Sequence, residues 1–270
     1  MDSVVDISWA KLALFGLILL VPFFINARYK LGIAKDTIIS VIRMTLQLIL
    51  IGVYLEYLFQ LNSLLINILW LAIMLLIGAS SIAGKARLPK KPLMLPLLTG
   101  LTCGLIPLLI AITAGLVQPS PIYNAQYMIP LAGMLLGNSL SSNIIALQNL
   151  FTAFEQRQSE YEAAISLGAS PRYASFPFIQ EALRKSLAPT LASMATTGLV
   201  TLPGMMTGQI LGGASPMVAI KYQLVIMLAI FVMLSTSVAI TLEMTLSWVQ
   251  TKEGRIKIKI QQSEPTKTHR

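Results

Sequence analysis

Residues 151–187 read FTAFEQRQSEYEAAISLGASPRYASFPFIQEALRKSL. They form the one long polar segment of a chain that is otherwise close to continuous apolar helix. A segment inside lipid must be apolar, because no water is there to satisfy polar groups, and connections between spans are usually short. A polar insert of 37 residues therefore stands outside the bilayer and sets the frame for everything on either side of it.

The 270 residues are 55% hydrophobic and 11% charged, with a mean hydropathy of +0.73. A water-soluble domain carries about 25% charged residues. The fold class is all-α: a polytopic membrane helix bundle. At roughly 20 residues per span, most of the length is consumed by crossings and no large soluble domain remains. The apolar runs predict seven spans, near Trp9–Ala27, Ile38–Leu58, Leu64–Gly84, Leu93–Val117, Gln126–Leu150, Ala188–Leu211 and Val218–Val249. The first run has no basic n-region and no small-residue cleavage site, so it reads as a span that stays. Residues 1–249 form one transmembrane domain carrying the insert, and 250–270 form a basic tail at the membrane face. Cys103 is the single cysteine, which excludes an intrachain disulfide.

A net charge of +9 suggests nucleic acid in a soluble protein, but here its distribution follows the positive-inside rule. Of the 20 lysines and arginines, 17 lie in 27–37, 85–92, the insert and the tail, which fall on alternate connections and share one side. Asp2 and Asp6 lie at the other. The expected topology has the N-terminus outside, the C-terminus cytoplasmic, and the insert cytoplasmic between the fifth and sixth spans.

Within the insert, 155–167 are helix formers with Gly168 as C-terminal cap. Ser170 and Pro171 then restart a helix as N-cap and first position, and Pro177 interrupts it before 178–186. The result is a knob of short helices. Ala163, Ala164 and Gly168 give it a small-residue surface, Glu160, Glu162 and Arg172 give it charge, and Phe176 and Phe178 are candidate anchors. The alternative is an amphipathic helix lying on the lipid. Glu162-Ala163-Ala164 followed by Gly168 resembles the EAA loop of ATP-binding-cassette (ABC) transporter permeases, where it marks the helix that couples to the ATPase. The chain lacks a nucleotide site: Gly78-ASSIA-Gly84-Lys85-Ala86 has five residues between its glycines where a phosphate loop has four, and Ala where Ser or Thr binds magnesium. It reads as a packing face.

After the insert, Leu202-PGMMTGQILGG-213 with Pro216, Ala219 and Tyr222-Gln223 resembles the FetB-like permease family, as do Arg43-MTLQL-48 and Gly137-Asn138-Ser139. The family covers bacterial iron exporters and plant relatives linked to aluminium tolerance. The resemblance extends to about Trp248. It implies a plasma (inner) membrane permease paired with a separate cytosolic ATP-binding subunit, as two copies of each, exporting iron. ATP and magnesium would sit on the partner, with no cofactor and no enzymatic activity on this chain. It places ATPase coupling at Glu162, Ala163, Ala164, Gly168 and Arg172.

Charged groups at the centre of a span cost about 2.5–3.5 kcal/mol, so they should pair or face water. Arg43 with Glu243, and Glu56 with Lys221, are the candidate pairs. Asn138, Ser142 and Asn149 share one stripe of the fifth span, either a pathway wall or hydrogen bonds between helices. In the sixth span Pro203 frees a carbonyl near Leu199. Gly204, Gly208 and Gly212 repeat every four residues, and Met205, Met206 and Gln209 add soft and oxygen ligands, making 203–209 the candidate gate or path. The pairs Gly100/Gly104 and Gly133/Gly137 read as packing. No strong metal site is visible: the one histidine is His269 in the tail, so metal would pass through weak ligation or as a chelate. An intramembrane protease is excluded by the lack of a membrane histidine or paired aspartates. An ABC importer or an ion-coupled secondary transporter using Glu56 or Glu243 remains the alternative.

Overall fold

A computed structural model describes residues 7–251. Asp2, Asp6, the basic tail beyond Thr251 and His269 lie outside the described residues. The described chain is helical throughout. A first segment, Trp9–Tyr29, comprises α1 (Trp9–Phe15), a 3-10 turn (Gly16–Leu19) and α2 (Leu20–Tyr29). Then follow α3 (Ala34–Leu61), α4 (Leu64–Lys85), α5 (Lys90–Ile110) running into a π-helix (Ala111–Val117), and α6 (Ala125–Gln156). The insert contributes α7 (Gln158–Ser166) and α8 (Pro171–Thr196), and the chain ends with α9 (Gly204–Leu211) and α10 (Pro216–Val249).

Six of these segments are long and apolar enough to cross a membrane; the expected span Ala188–Leu211 is not one of them. Helix α8 stops at Thr196, residues 197–203 break the helix, and α9 is only eight residues long. The cause is local. The Ser193 carbonyl accepts the last helical bond, from the Thr197 amide at 3.0 Å; the chain then leaves helical geometry at Thr197 (ψ 132°) and turns through Gly198 at φ +88°, a conformation that favours glycine. Pro203 then stands at the N-cap of α9 and does not kink a continuous rod. A second difference runs the other way: α8 passes through Pro177 without a break. The ring lies on the exposed face, while Phe178, Ile179 and Ala182 are buried and hold the helix in place.

The body is built on α5 and α10. Lipid tails are as apolar as leucine, so burial alone does little to join helices in a bilayer, and close approach matters more. Gly100 supplies it: a Cβ there would collide with Thr241 Oγ1 and lie 2.7 Å from the Ser237 carbonyl oxygen. Gly104 faces Met233 in the same groove. Leu93, Leu97, Leu101 and Leu105, one turn apart, are fully buried beside them. Asn143 Nδ2 on α6 donates to Ser237 Oγ at 3.0 Å and ties the third helix in. Gly78, Ala79, Ile82 and Ala83 are buried in α4, as a packing face should be. Gly137, by contrast, is exposed with open space around it.

The N-terminal helices differ from this body. Trp9–Tyr29 buries no residue, and α3 buries only Leu58, which packs with Ala125 and Ile129. The two ends of the body are also fixed separately. At one end Gln148 Nε2 donates to the Lys85 carbonyl at 3.2 Å, and α7 and α8 meet the end of α10. At the other, Asn62 Oδ1 accepts from the Ala125 amide at 3.0 Å and Asn67 Nδ2 donates to the Tyr123 carbonyl at 2.7 Å. The basic residues Lys85, Arg87, Arg157 and Arg172 thus gather at the insert end.

Candidate functional site

The knob is built from three breaks in helix. Arg157 ends α6, and α7 closes on a Schellman motif: Gly168 N donates to the Ile165 carbonyl at 2.9 Å and Ala169 N to the Ala164 carbonyl at 3.0 Å. That motif needs a left-handed residue at its end, and Gly168 has φ +92°. Ser170 then caps α8, its Oγ accepting from the Tyr173 amide at 3.3 Å. The order cap, turn, restart is the one the sequence predicts.

The knob is pinned from beneath. Tyr161 is buried edge-on to Phe154, with ring centroids 5.3 Å apart, and Phe154 lies 4.7 Å from Phe178. Phe178 is therefore core, and only Phe176 of the two expected anchors is exposed. Burial pushes the Tyr161 phenol above its ordinary pKa, while the hydrogen bond from Gln250 Nε2 to its hydroxyl opposes the rise. Arg157 lies over the Phe178 ring at 4.8 Å and bonds Glu160 at 2.8 Å and Glu181 at 3.0 Å. Lys185 bonds Glu181 at 2.7 Å and, with Arg157 next, holds its carboxyl below the usual carboxylate range. Arg172 reaches Glu243 on α10 at 3.2 Å.

What the knob leaves exposed is Glu162, Ala163, Ser166 and Gly168, with Glu162 held by Gln158 Nε2 at 2.7 Å. Leu167 (89% exposed) and Tyr173 (76%) flank the glycine, and Phe176 (57%) lies a turn on. Leu167 and Tyr173 were missed in sequence. The visible signal was an apolar side chain on each side of a capping glycine, in a loop where water favours polar residues.

At the opposite end, four elements enclose a cavity of about 520 Å³. Ile112 and Leu116 of the π-helix, Gln126 and Tyr127 of α6, Met205 and Gln209 of α9, and Lys221 and Tyr222 of α10 are on its wall. The π-helix, a geometry found mostly at functional sites, had no signal in the sequence. Gln209 Oε1 is buried and accepts no hydrogen bond.

The other predicted residues divide. Met205 and Gln209 line the cavity; Pro203, Gly204, Met206 and Gly208 do not. Gly204 and Gly208 face open space and make no close contact inside the protomer. On the α6 stripe, Asn138 is exposed and Ser142 buried, and neither borders the cavity. Asn138 and Asn149 donate back to Met134 and Ile145 of their own helix. Neither expected charge pair is brought together. Glu243 is held by Arg172, not Arg43, and Arg43, Glu56 and Lys221 make no ion pair among the described residues. The physical reason is that α3 stands off the body except near Leu58, so its charges have no facing helix. Also among the described residues, no three of His, Cys, Asp and Glu cluster to hold a metal, and Cys103 is a free, exposed thiol.

Comparison with known proteins completes the description. The profile of a family described as "Uncharacterised protein family (UPF0014)" matches residues 9–249. The chain is 32% identical over 232 residues to "Probable iron export permease protein FetB" of Escherichia coli, covering 86% of this chain and 87% of that one. It is 33% identical over 233 residues to "Protein ALUMINUM SENSITIVE 3" of Arabidopsis thaliana, covering 82% and 83%. It is 32% identical over 221 residues to "UPF0014 membrane protein YjkA" of Bacillus subtilis, covering 81% and 86%. No solved structure matches.

Proposed function

The chain belongs to the UPF0014 family of multi-pass membrane proteins, and from that premise we propose that it is the permease subunit of an ABC transporter. In this reading a separate cytosolic subunit hydrolyses ATP and docks on the α7–α8 knob through Ala163, Ala164 and Gly168, oriented by Glu162 and Arg172. The one observation that carries the proposal is the pinning of that knob. A load-bearing contact must be stiff on its inner side and open on its outer side. The knob is ion-paired and aromatic-packed beneath, while small and apolar groups remain exposed above.

The same reading sets topology. The insert end, rich in lysine and arginine, faces the cytoplasm. Helix α8, the break at 197–203 and α9 together make a seventh, interrupted crossing. They leave the Arg172–Glu243 contact at one end and bring Met205 and Gln209 to the cavity at the other. Two copies assemble, with the bare Gly204–Gly208 ridge and the unburied N-terminal helices as the surfaces left for association. Iron export is the cargo and direction suggested by the name of the Escherichia coli relative. An ion-coupled carrier fits less well. Glu243 is committed to the insert, and Glu56 lies on α3 away from the cavity.

Purification of the tagged chain from its native membranes tests this. An ATP-hydrolysing subunit should co-purify in stoichiometric amount and transport should require its activity. Transport by the chain alone in liposomes, driven by an ion gradient, would contradict it.

A further inference from the structure

The cavity at the end opposite the insert has a chemical bias that the permease reading alone does not supply. Among the described residues, the only charged one on its wall is Lys221, and no carboxylate lines it. Lys221 has no ion-pair partner among the described residues. Around it stand the hydroxyls of Tyr127 and Tyr222 and the amide of Gln126, all able to donate hydrogen bonds. The rest of the wall is aliphatic or thioether. One acceptor breaks this pattern: Gln209 Oε1, buried with no donor in reach. A buried oxygen left unbonded costs free energy that a guest carrying an N–H or O–H would recover.

We propose that this cavity binds an organic anion that also carries a hydroxyl or amide donor, and that it does not bind a bare metal cation. Lys221 holds the anionic group, and Gln209 takes the guest's donor. The volume of about 520 Å³ lies within the size of ordinary small-molecule sites. Bare Fe²⁺ would meet one ammonium group and no carboxylate, the reverse of what a hard or borderline cation requires. The proposal rests on the permease reading for the guest's role as cargo. It also removes a difficulty in that reading: no metal-binding cluster is found among the described residues, and in an anionic hydroxycarboxylate chelate the metal's ligands would come from the guest. The same chemistry, an anion beside hydroxyls, occurs in phosphatidylglycerol, so the test separates a soluble guest from a lipid headgroup.

The full-length chain is reconstituted, without any ATPase, in nanodiscs of phosphatidylcholine. It is titrated with citrate, ferric citrate, tricarballylate (citrate without its hydroxyl) and anaerobic Fe²⁺. Citrate and ferric citrate should bind and Fe²⁺ should not. Lys221→Gln should weaken citrate by about tenfold or more, since hydrogen bonds to charged groups are the strong ones, and Lys221→Arg should restore it. Wild type should prefer citrate to tricarballylate, and Gln209→Leu should abolish that preference. Fe²⁺ binding to wild type as tightly as to Lys221→Gln, or equal citrate binding by both proteins, overturns the proposal. A second set of discs contains phosphatidylglycerol. If citrate fails in both sets while that lipid co-purifies with wild type and not with Lys221→Gln, the anion is a headgroup and the soluble cargo is refuted. Because no ATPase is present, the result stands apart from the co-purification test: anion binding by a chain with which no ATP-hydrolysing subunit co-purifies would sink the ABC reading alone, and absence of binding by a chain with which one does co-purify would sink this proposal alone.

Discussion

The two ends of this bundle handle their charged groups in opposite ways. At the insert end Arg157 has two carboxylates, Glu181 has two cations, Arg172 has Glu243, and the buried phenol of Tyr161 has Gln250. At the cavity end, among the described residues, Lys221 has no counter-ion and Gln209 Oε1 has no donor. The backbone follows the same division. A short helix closes on a full Schellman turn at one end, while a π-helix and the eight-residue helix α9 border the cavity at the other. A surface that transmits force must be held by its own protein. A surface that takes a guest must leave bonding capacity for it. The proposed reading gives the first role to the knob and the second to the cavity.

The largest expected effect breaks the stiff end. Gly168→Ile puts a β-branched side chain at φ +92°, a strain of about 1–3 kcal/mol concentrated in one turn. ATP hydrolysis stimulated by the chain should fall to background while the protein still inserts. Stimulation at the wild-type rate would show that this turn carries no load. Next comes acid. The folded Glu181 carboxyl titrates below its unfolded value, so its contribution is complete above the ordinary carboxylate pKa and is lost as pH falls through the depressed folded value. Amide exchange across 158–170 should quicken in that acidic window, and Glu181→Gln should be fast at every pH. A pH-independent exchange rate would mean the ion pairs do not hold the knob.

Much of this was legible in the sequence, and the failures have physical causes. Hydropathy marks six spans correctly because lipid leaves the backbone no choice but helix. The Gly168 cap and the Ser170-Pro171 restart are local chemistry and read directly. The break at 197–203 did not read, because a window average of hydropathy registers the apolar side chains and is blind to a left-handed glycine, Gly198, where a helix ends. Pro177 misled in the opposite sense: packing of Phe178 and Ile179 against α6 holds a helix that local rules would end. The Arg43–Glu243 pair assumed a neighbour for α3, and which helices touch is a tertiary fact that spacing along the chain does not contain. Met205 and Gln209 do border the cavity, and Lys221, expected to pair with Glu56, lies beside them on its wall.

Smaller effects sharpen the contrast. Asn143→Leu removes the bond from Nδ2 to Ser237 along with an Oδ1 that is itself buried and unbonded, and should destabilise the body by about 0.6–1.7 kcal/mol, the lost bond outweighing the relieved oxygen. Gln209→Leu removes an unbonded buried oxygen and should leave stability unchanged or raise it by up to about 1 kcal/mol. Thermal unfolding in detergent measures both, and equal losses would erase the distinction between bonded and unbonded polar groups. Smallest of all, Met205→Leu keeps the cavity's apolar volume and should alter transport less than about threefold, with Met206→Leu silent because its side chain does not border the cavity. Intracellular iron load under iron stress reports both, and a strong Met206 effect would place the path elsewhere.

The central claim is that the α7–α8 knob is where chemical energy enters from a separate subunit. A single cysteine at Ala163, in a chain whose Cys103 is replaced by serine, tests it by cross-linking in the purified complex. The account predicts a cross-link to the ATP-hydrolysing subunit whose yield changes with bound nucleotide. An active complex in which Ala163→Cys reacts freely with a bulky soluble maleimide and never cross-links would contradict it.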